Sequence, residues 1–486
     1  MSGNRRAPGG SGRIRTVVIS VVVVAVVAAL GLGTYWFLTA DRGTGTADGG
    51  GSAPTAQSSG RGVADPAIGR PSLAVAPLRG SPLVPDQAGL QTALAQTLAD
   101  PGMADSSWQV MDAATGKSLF GNNPTTPQLP GSTQKLLTAA ALLSSVKDPN
   151  ARLTTSVVQG DQAGDIVFVG GGDVTLSAAS AGVQSVYDGA PTVNDLATQI
   201  KASGVAVKRI VLDTSFWTGP DMADGWKSVD IKGGYITKMS SLMVDGDRED
   251  PSAEKSPRTG TPAQTAGQAL ARALGDAGLT IVAGTAPADA KVIAQVQSQP
   301  LSILVSQALI NSDNILAESL LREVAAARGA PRSFVGATAA TRIALQDLGI
   351  PLDGITNYDG SGMSDKDRVS PDTLARILAV AVSGKNPAMR YLLSGLPVAG
   401  LTGTLGSDPT HQRFDDDRSA AGRGWVRAKT GSLNSTLAIA GYVPDKDGRL
   451  LVFSVITNAS ISGNDVGGTR AAQDWFAATL RQCGCR

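Results

Sequence analysis

The chain has 486 residues, with 42 lysines and arginines against 41 aspartates and glutamates, one histidine and two cysteines. That length holds two domains, and a net charge of +1 gives no electrostatic footing for nucleic acid. His411, the single histidine, nearly excludes a Ser-His-Asp hydrolase unless it is the base, and no histidine-rich metal site is available, so no metal or other cofactor is expected.

Residues 1–15 are polar and carry Arg5, Arg6, Arg13 and Arg15 without an acid. The run 16–38 is almost unbroken apolar sequence ending in Tyr35, Trp36 and Phe37. At 1.5 Å per residue it reaches roughly 34 Å, enough to span a bilayer, and the preceding arginines place the amino terminus in the cytoplasm. It is read as an uncleaved signal anchor. Residues 39–84 are rich in Gly, Ser, Thr, Ala and Pro and form a flexible linker. Folded sequence is expected from Pro85.

Leu90, Leu94 and Leu98 then mark a helix, and 108–112 with 117–120 read as strands around a turn at Thr115-Gly116. A helix opens at Ser132 and continues through an apolar run to Leu143. Strand signals follow at 166–169 and 210–212, with the glycine run Gly170-Gly171-Gly172 between them. Helical periodicity returns at 263–279 and 301–327. Two strands, 437–443 and 450–457, are joined by a turn at 445–448, and a last helix carries Ala472, Trp475, Phe476 and Leu480 on one face. Cys483 and Cys485 read as a frayed tail. Strands at both ends with helices between predict one α/β (α+β) domain, 85–150 and 251–486, interrupted by a smaller β-rich inserted domain at 151–250.

Three short patterns carry chemistry. Ser132-Thr133-Gln134-Lys135 puts a lysine one turn beyond a serine, so the amine reaches the hydroxyl. Burial at a helix amino terminus disfavours the ammonium, and a serine beside a neutral lysine is an activated nucleophile. The pattern is weak by itself, since it recurs at Ser144/Lys147 and Ser252/Lys255. Ser312-Asp313-Asn314 lies in a helical stretch, and Ser-x-Asn also recurs elsewhere. Lys429-Thr430-Gly431, followed by Ser432, occurs once, at the end of a strand at 425–428. What is specific is their order on helix, helical loop and strand.

That order resembles class A β-lactamases and penicillin-binding proteins. The chain more closely resembles the D-alanyl-D-alanine carboxypeptidase/endopeptidase family of low-molecular-mass penicillin-binding proteins, the branch with an insert after the nucleophile helix. Gly170-Gly171-Gly172-Asp173, Asp224-Gly225-Trp226, 240–244 (SSLMV), 312–318 (SDNILAE), 359–362 (DGSG) and 427–433 (RAKTGSL) carry the likeness, which runs from about Pro85 to the end. It implies a penicillin-binding/β-lactamase-like transpeptidase domain cleaving the D-Ala-D-Ala bond of peptidoglycan stem peptides, or a cross-link between them as a D,D-endopeptidase, outside the cytoplasmic membrane. β-Lactams would act as covalent inhibitors.

In this reading Ser132 attacks, Lys135 takes its proton, Ser312 relays a proton to the leaving amine with Lys429 opposite, and Asn314 orients substrate or Lys135. Thr430, Gly431 and Ser432 line the place for a terminal carboxylate, and the backbone at Ser132 and Ser432 offers an oxyanion hole. The rival readings are a β-lactamase with the same site and a non-catalytic sensor of β-lactams or wall fragments.

Overall fold

The Asp86 carboxylate accepts from Gly89 N at 2.7 Å and so caps helix α1 (Gln87–Leu98), whose Leu90 and Leu94 are buried. β1 (Ser106–Asp112) and β2 (Ser118–Asn122) form the expected hairpin, and α2 (Lys135–Ser145) is buried from Lys135 to Leu143, as its all-round apolar surface requires. Next come β3 (Thr154–Gln159), β4 (Asp165–Val169), α3 (Val193–Ala202), β5 (Arg209–Asp213), α4 (Pro262–Leu274), β6 (Thr280–Ala283) and β7 (Val292–Gln297). The chain finishes with α5 (Leu301–Ile310), α6 (Asn314–Ala327), α7 (Phe334–Asp347), α8 (Pro371–Val382), β8 (Arg427–Leu433), β9 (Thr436–Pro444), β10 (Leu450–Thr457) and α9 (Asp465–Gln482). This computed structural model describes residues 82–180, 182–408, 411–458 and 465–485; the 16–38 segment and most of the 39–84 linker lie outside them.

One antiparallel sheet has the order β2-β1-β10-β9-β8. Its side chains alternate between two cores. Val110, Phe453 and Val455 pack with Leu90 and Phe476 of α1 and α9, whereas Met111, Val452 and Ile456 pack with Leu136, Leu374 and Leu378 of α2 and α8. Because both faces are covered, the sheet edge at β8 is held at a fixed place beside α2.

The second sheet has the order β6-β5-β4-β3-β7, with β4, β5 and β6 parallel and β3 antiparallel to both its neighbours. Ile166, Phe168 and Ile210 bury one face against Leu196, Ile200 and Leu270 of α3 and α4. This corrects the expected insert of 151–250. The inserted sheet takes two strands and a helix from 262–297, and it is a mixed α/β layer, not a β-rich one. Conversely Tyr187, Trp217, Met239 and Met243, all within 151–250, pack in the core around α2. The insert is therefore stitched into the catalytic domain by two segments that cross back to it.

The carboxyl-terminal tail is also not frayed. Cys483 is buried in the α1/α9 core, Cys483 O accepts from Lys446 N and Cys485 O from Asp86 N, each at 3.1 Å, and the two cysteines are joined as a disulfide.

Candidate active site

The nucleophile stands just outside the helix that was expected to begin with it. Gly131 (φ +52°) opens a tight turn, Gly131–Gln134, and α2 starts at Lys135. Thr133 Oγ1 donates to Pro130 O at 2.8 Å and holds the turn closed. A turn with three residues per revolution eclipses positions i and i+3. Accordingly Lys135 Nζ lies 2.9 Å from Ser132 Oγ.

Lys135 is 2 % exposed. Its Nζ also donates to Asn314 Oδ1 at 2.6 Å and to Ser361 O at 2.8 Å. Burial brings its pKa down to about 8, although Asp359, Asp313 and Glu318 pull the other way. Lys429 is fully buried; its Nζ donates to Ser312 Oγ at 2.8 Å and Thr430 O at 2.9 Å. Burial, then the charge of Lys135, hold it well below the ordinary lysine range.

The stretch read as one helix from 301 to 327 breaks at Ser312, whose φ of +55° separates α5 from α6. This kink sends Ser312 Oγ to Lys429 and Asn314 Oδ1 to Lys135. Asp313 caps α6 by accepting from Leu316 N at 2.8 Å and also accepts from Arg248 Nη2 at 2.7 Å and Tyr187 Oη at 3.0 Å. Burial by itself would raise the Asp313 pKa, but Arg248 and Arg258 hold it well below the usual carboxylate range.

Lys429-Thr430-Gly431 lies within the edge strand β8, not at a strand end. A side chain at Gly431 would run into Pro130 O, and its Cβ would sit 3.1 Å from Ser132 N; a Cβ at Gly131 would likewise sit 3.1 Å from Ser432 N. The strand and the nucleophile turn are thus pressed together, with the N–H groups of Ser132 and Ser432 flanking one gap suited to an oxyanion. Ser132, Ser312, Asn314, Thr430 and Ser432 all line one cavity of about 500 Å³. His411, read as a loop residue, lines it too and bonds Asp408 at 2.9 Å.

Several supporting residues carried no role in the sequence. Glu318 accepts from Gly360 N at 3.0 Å and Ser361 N at 2.9 Å, and Asp359 accepts from Gly362 N and Ser364 N, each at 2.7 Å. Together they shape the loop that offers Ser361 O to Lys135. Burial and then Asp359 push Glu318 up to about 8. The Asp-Gly-Ser-Gly string was visible as a likeness, but no local pattern connects it to Glu318.

A base-paired serine, a second serine–lysine pair, an oxyanion gap and a buried edge strand define a serine acyl-transfer hydrolase with the penicillin-binding/β-lactamase-like architecture. The chain belongs to the D-Ala-D-Ala carboxypeptidase 3 (S13) family, whose profile matches residues 90–263 and 252–480. It is 42% identical over 414 residues to carboxypeptidase DacB of Mycolicibacterium smegmatis, covering 85% of this chain and 88% of that one. A carboxypeptidase of Mycobacterium tuberculosis is 40% identical over 414 residues, covering 85% and 87%. Penicillin-binding protein 4 of Haemophilus influenzae shares the fold at a TM-score of 0.63 and 21% identity, over 81% of this chain and 98% of that one.

Proposed function

We propose that this chain is a serine D-Ala-D-Ala carboxypeptidase that acts on peptidoglycan stem peptides through an acyl-enzyme, is acylated by penicillin, and is tethered outside the cytoplasmic membrane by residues 16–38. The observation that carries the reading is the buried Lys135 amine, 2.9 Å from Ser132 Oγ. Neutral Lys135 takes the Ser132 proton as Oγ attacks the carbonyl of the penultimate residue. The oxyanion falls between the N–H groups of Ser132 and Ser432. Ser312 gives its proton to the departing amine and recovers one from Lys429, 2.8 Å away. Deacylation reverses the path with water in place of the amine: Ser312 and Lys429 take the water proton, and Lys135 returns its proton to Ser132.

The β-lactamase alternative needs a base facing the acyl carbonyl. The carboxylate of Glu318 is spent on the 360–361 loop, Glu323 is half-buried within the field of Arg332, and neither lines the cavity. Among the described residues no helix is long and apolar enough to cross a membrane, so the tether rests on the composition of 16–38 and the arginines before it. The test is incubation of the purified full-length chain with a fluorescent penicillin and with purified muropeptides, products being identified by mass. D-Alanine release and an adduct on Ser132 that persists for many minutes are expected. Release of the adduct within seconds would point to a β-lactamase instead.

A further inference from the structure

The loop that offers Ser361 O to Lys135 rests on two carboxyl groups in contact with each other. Asp359 and Asp367 are both fully buried, and a side-chain hydrogen bond joins them. Carboxylates only accept, so one of the two carries the hydrogen between them. Asp359 takes N–H donors on both oxygens: Gly362 N lies 2.7 Å from Oδ1, and Trp226 Nε1 and Ser364 N each lie 2.7 Å from Oδ2. Ser361 N stands further off at 3.1 Å and is shared with Glu318. Of the roughly four acceptor positions of a carboxylate, that leaves about one open. Asp367 is the opposite case. Tyr358 N reaches its Oδ1 at 2.7 Å, but no N–H or O–H reaches its Oδ2, although that atom is buried. Among the described residues no salt bridge reaches Asp367 either. Lys135 Nζ is bonded to Ser132, Arg322 faces Glu318, Lys366 pairs with Asp224, and Arg368 donates to the main-chain carbonyls of Asp365 and Asp367. Burial, then the Asp359 charge, push the Asp367 acid well above the usual carboxylate range.

We propose that Asp367 is a neutral carboxylic acid that donates its hydrogen to ionised Asp359, and that through this bond it is a positioning residue for the base Lys135. The proposal deepens the reading above, in which Lys135 takes the Ser132 proton. The path is continuous. Asp367 fixes the Asp359 carboxylate, Asp359 fixes the N–H groups of Gly362 and Ser364, and the loop so held presents Ser361 O to Lys135 Nζ at 2.8 Å. The arrangement also sets the charge beneath the base. Two buried carboxylates in contact cannot both ionise cheaply, and a hydrogen held between them leaves one negative charge. Asp359 is the foremost of the anions that favour the Lys135 ammonium, so that single charge is the one the base feels. Asp367 does not line the cavity and acts only through Asp359 and the loop.

Asp367→Asn is the isostere of the acid: its oxygen keeps Tyr358 N, and its NH2 replaces the O–H that faces Asp359. Asp367→Ala removes the donor. The experiment measures penicillin acylation rates of full-length wild type, D367N and D367A. Wild type and D367N, grown with aspartate carrying heavy carbon in its side-chain carboxyl, are also compared by infrared spectroscopy at neutral pH. D367N should acylate at the wild-type rate, and D367A about 10- to 100-fold more slowly, the range of one lost charge-assisted hydrogen bond. Wild type should show a carboxylic-acid carbonyl band that D367N lacks, and its shift with the label assigns it to an aspartate, not to Glu318. An ionised Asp367 gives the opposite result: no acid band is lost, and D367N is as slow as D367A because an amide cannot replace an anion. Either observation overturns the proposal, as does a D367N that fails to fold. D367A acylating at the wild-type rate removes the positioning role; where D367A does not fold, D367N decides alone. Wild type that takes no penicillin removes the acyl-enzyme reading itself, while the infrared band still decides where the hydrogen lies.

Discussion

At Lys135 two effects oppose each other: burial favours the neutral amine, while Asp359, Asp313 and Glu318 favour the ammonium, and the balance lies at about 8. The base is the neutral form, so the sign is fixed. Its fraction is about one-tenth at pH 7 and grows as pH rises through 8. Penicillin acylation should therefore climb close to tenfold per pH unit below that point and level off above it; a flat profile between pH 6 and 9 rules Lys135 out as the base. Lys135→Arg should lose acylation by about 100-fold or more, because arginine does not deprotonate. Ser132→Ala should abolish labelling, whereas Ser144→Ala should not, since Ser144 Oγ is occupied by Ala141 O on the same helix. Peptide mapping of the adduct checks both. These residues were legible because each motif is local in sequence. Ser361 was not: it contributes a carbonyl, and a carbonyl leaves no mark on residue identity.

The elements between the motifs explain what was misread. Ser312 takes a left-handed turn inside a run whose periodicity is helical on both sides, and only the demands of Lys429 and Lys135 account for the break. The residues of β6 and β7 fall within 251–486, the range expected for the catalytic domain, and no strand is expected at those positions from the sequence. Their true neighbours, β5 and β3, are set by parallel and long-range pairing that no local pattern encodes. The crossing segment that supplies Arg248 matters most for function. Arg248 and Asp313 are each 4 % exposed and tie that segment to the Ser312 kink. Arg248→Met removes the one ion-pair partner in direct contact with the buried Asp313, leaving it the Leu316 N and Tyr187 Oη bonds, and should cost about 3 kcal/mol, with slower acylation. Adding Asp313→Asn should recover part of that loss in chemical denaturation, because the stranded charge is gone. If the double variant were as unstable as the sum of the two single ones, the pair would not be coupled.

For the whole molecule, the described residues form two sheets and their covering helices. A fragment of residues 82–486 should fold and keep the full-length kcat on a soluble peptide, because the nucleophile, both lysines and the edge strand all lie inside it. Loss of activity in that fragment, measured by D-alanine release, would place a needed element upstream. The start at residue 82 keeps Pro82 O, which accepts from Arg449 Nη1 at 3.3 Å, and the Asp86 cap of α1. The sheet order also has a consequence for how the protein is made. β1, the first strand among the described residues, lies between β2 and β10, and Ser106 bonds Thr457 at 2.7 Å across 351 positions. Until the ribosome has passed residue 457, β1 has only a hairpin to pair with, and closing so long a loop is slow. A nascent chain of this sequence accordingly lacks the central partner of β1 for most of its synthesis. The same order makes any stop codon before β10 fatal to the nucleophile site that was translated 325 residues earlier (457 − 132).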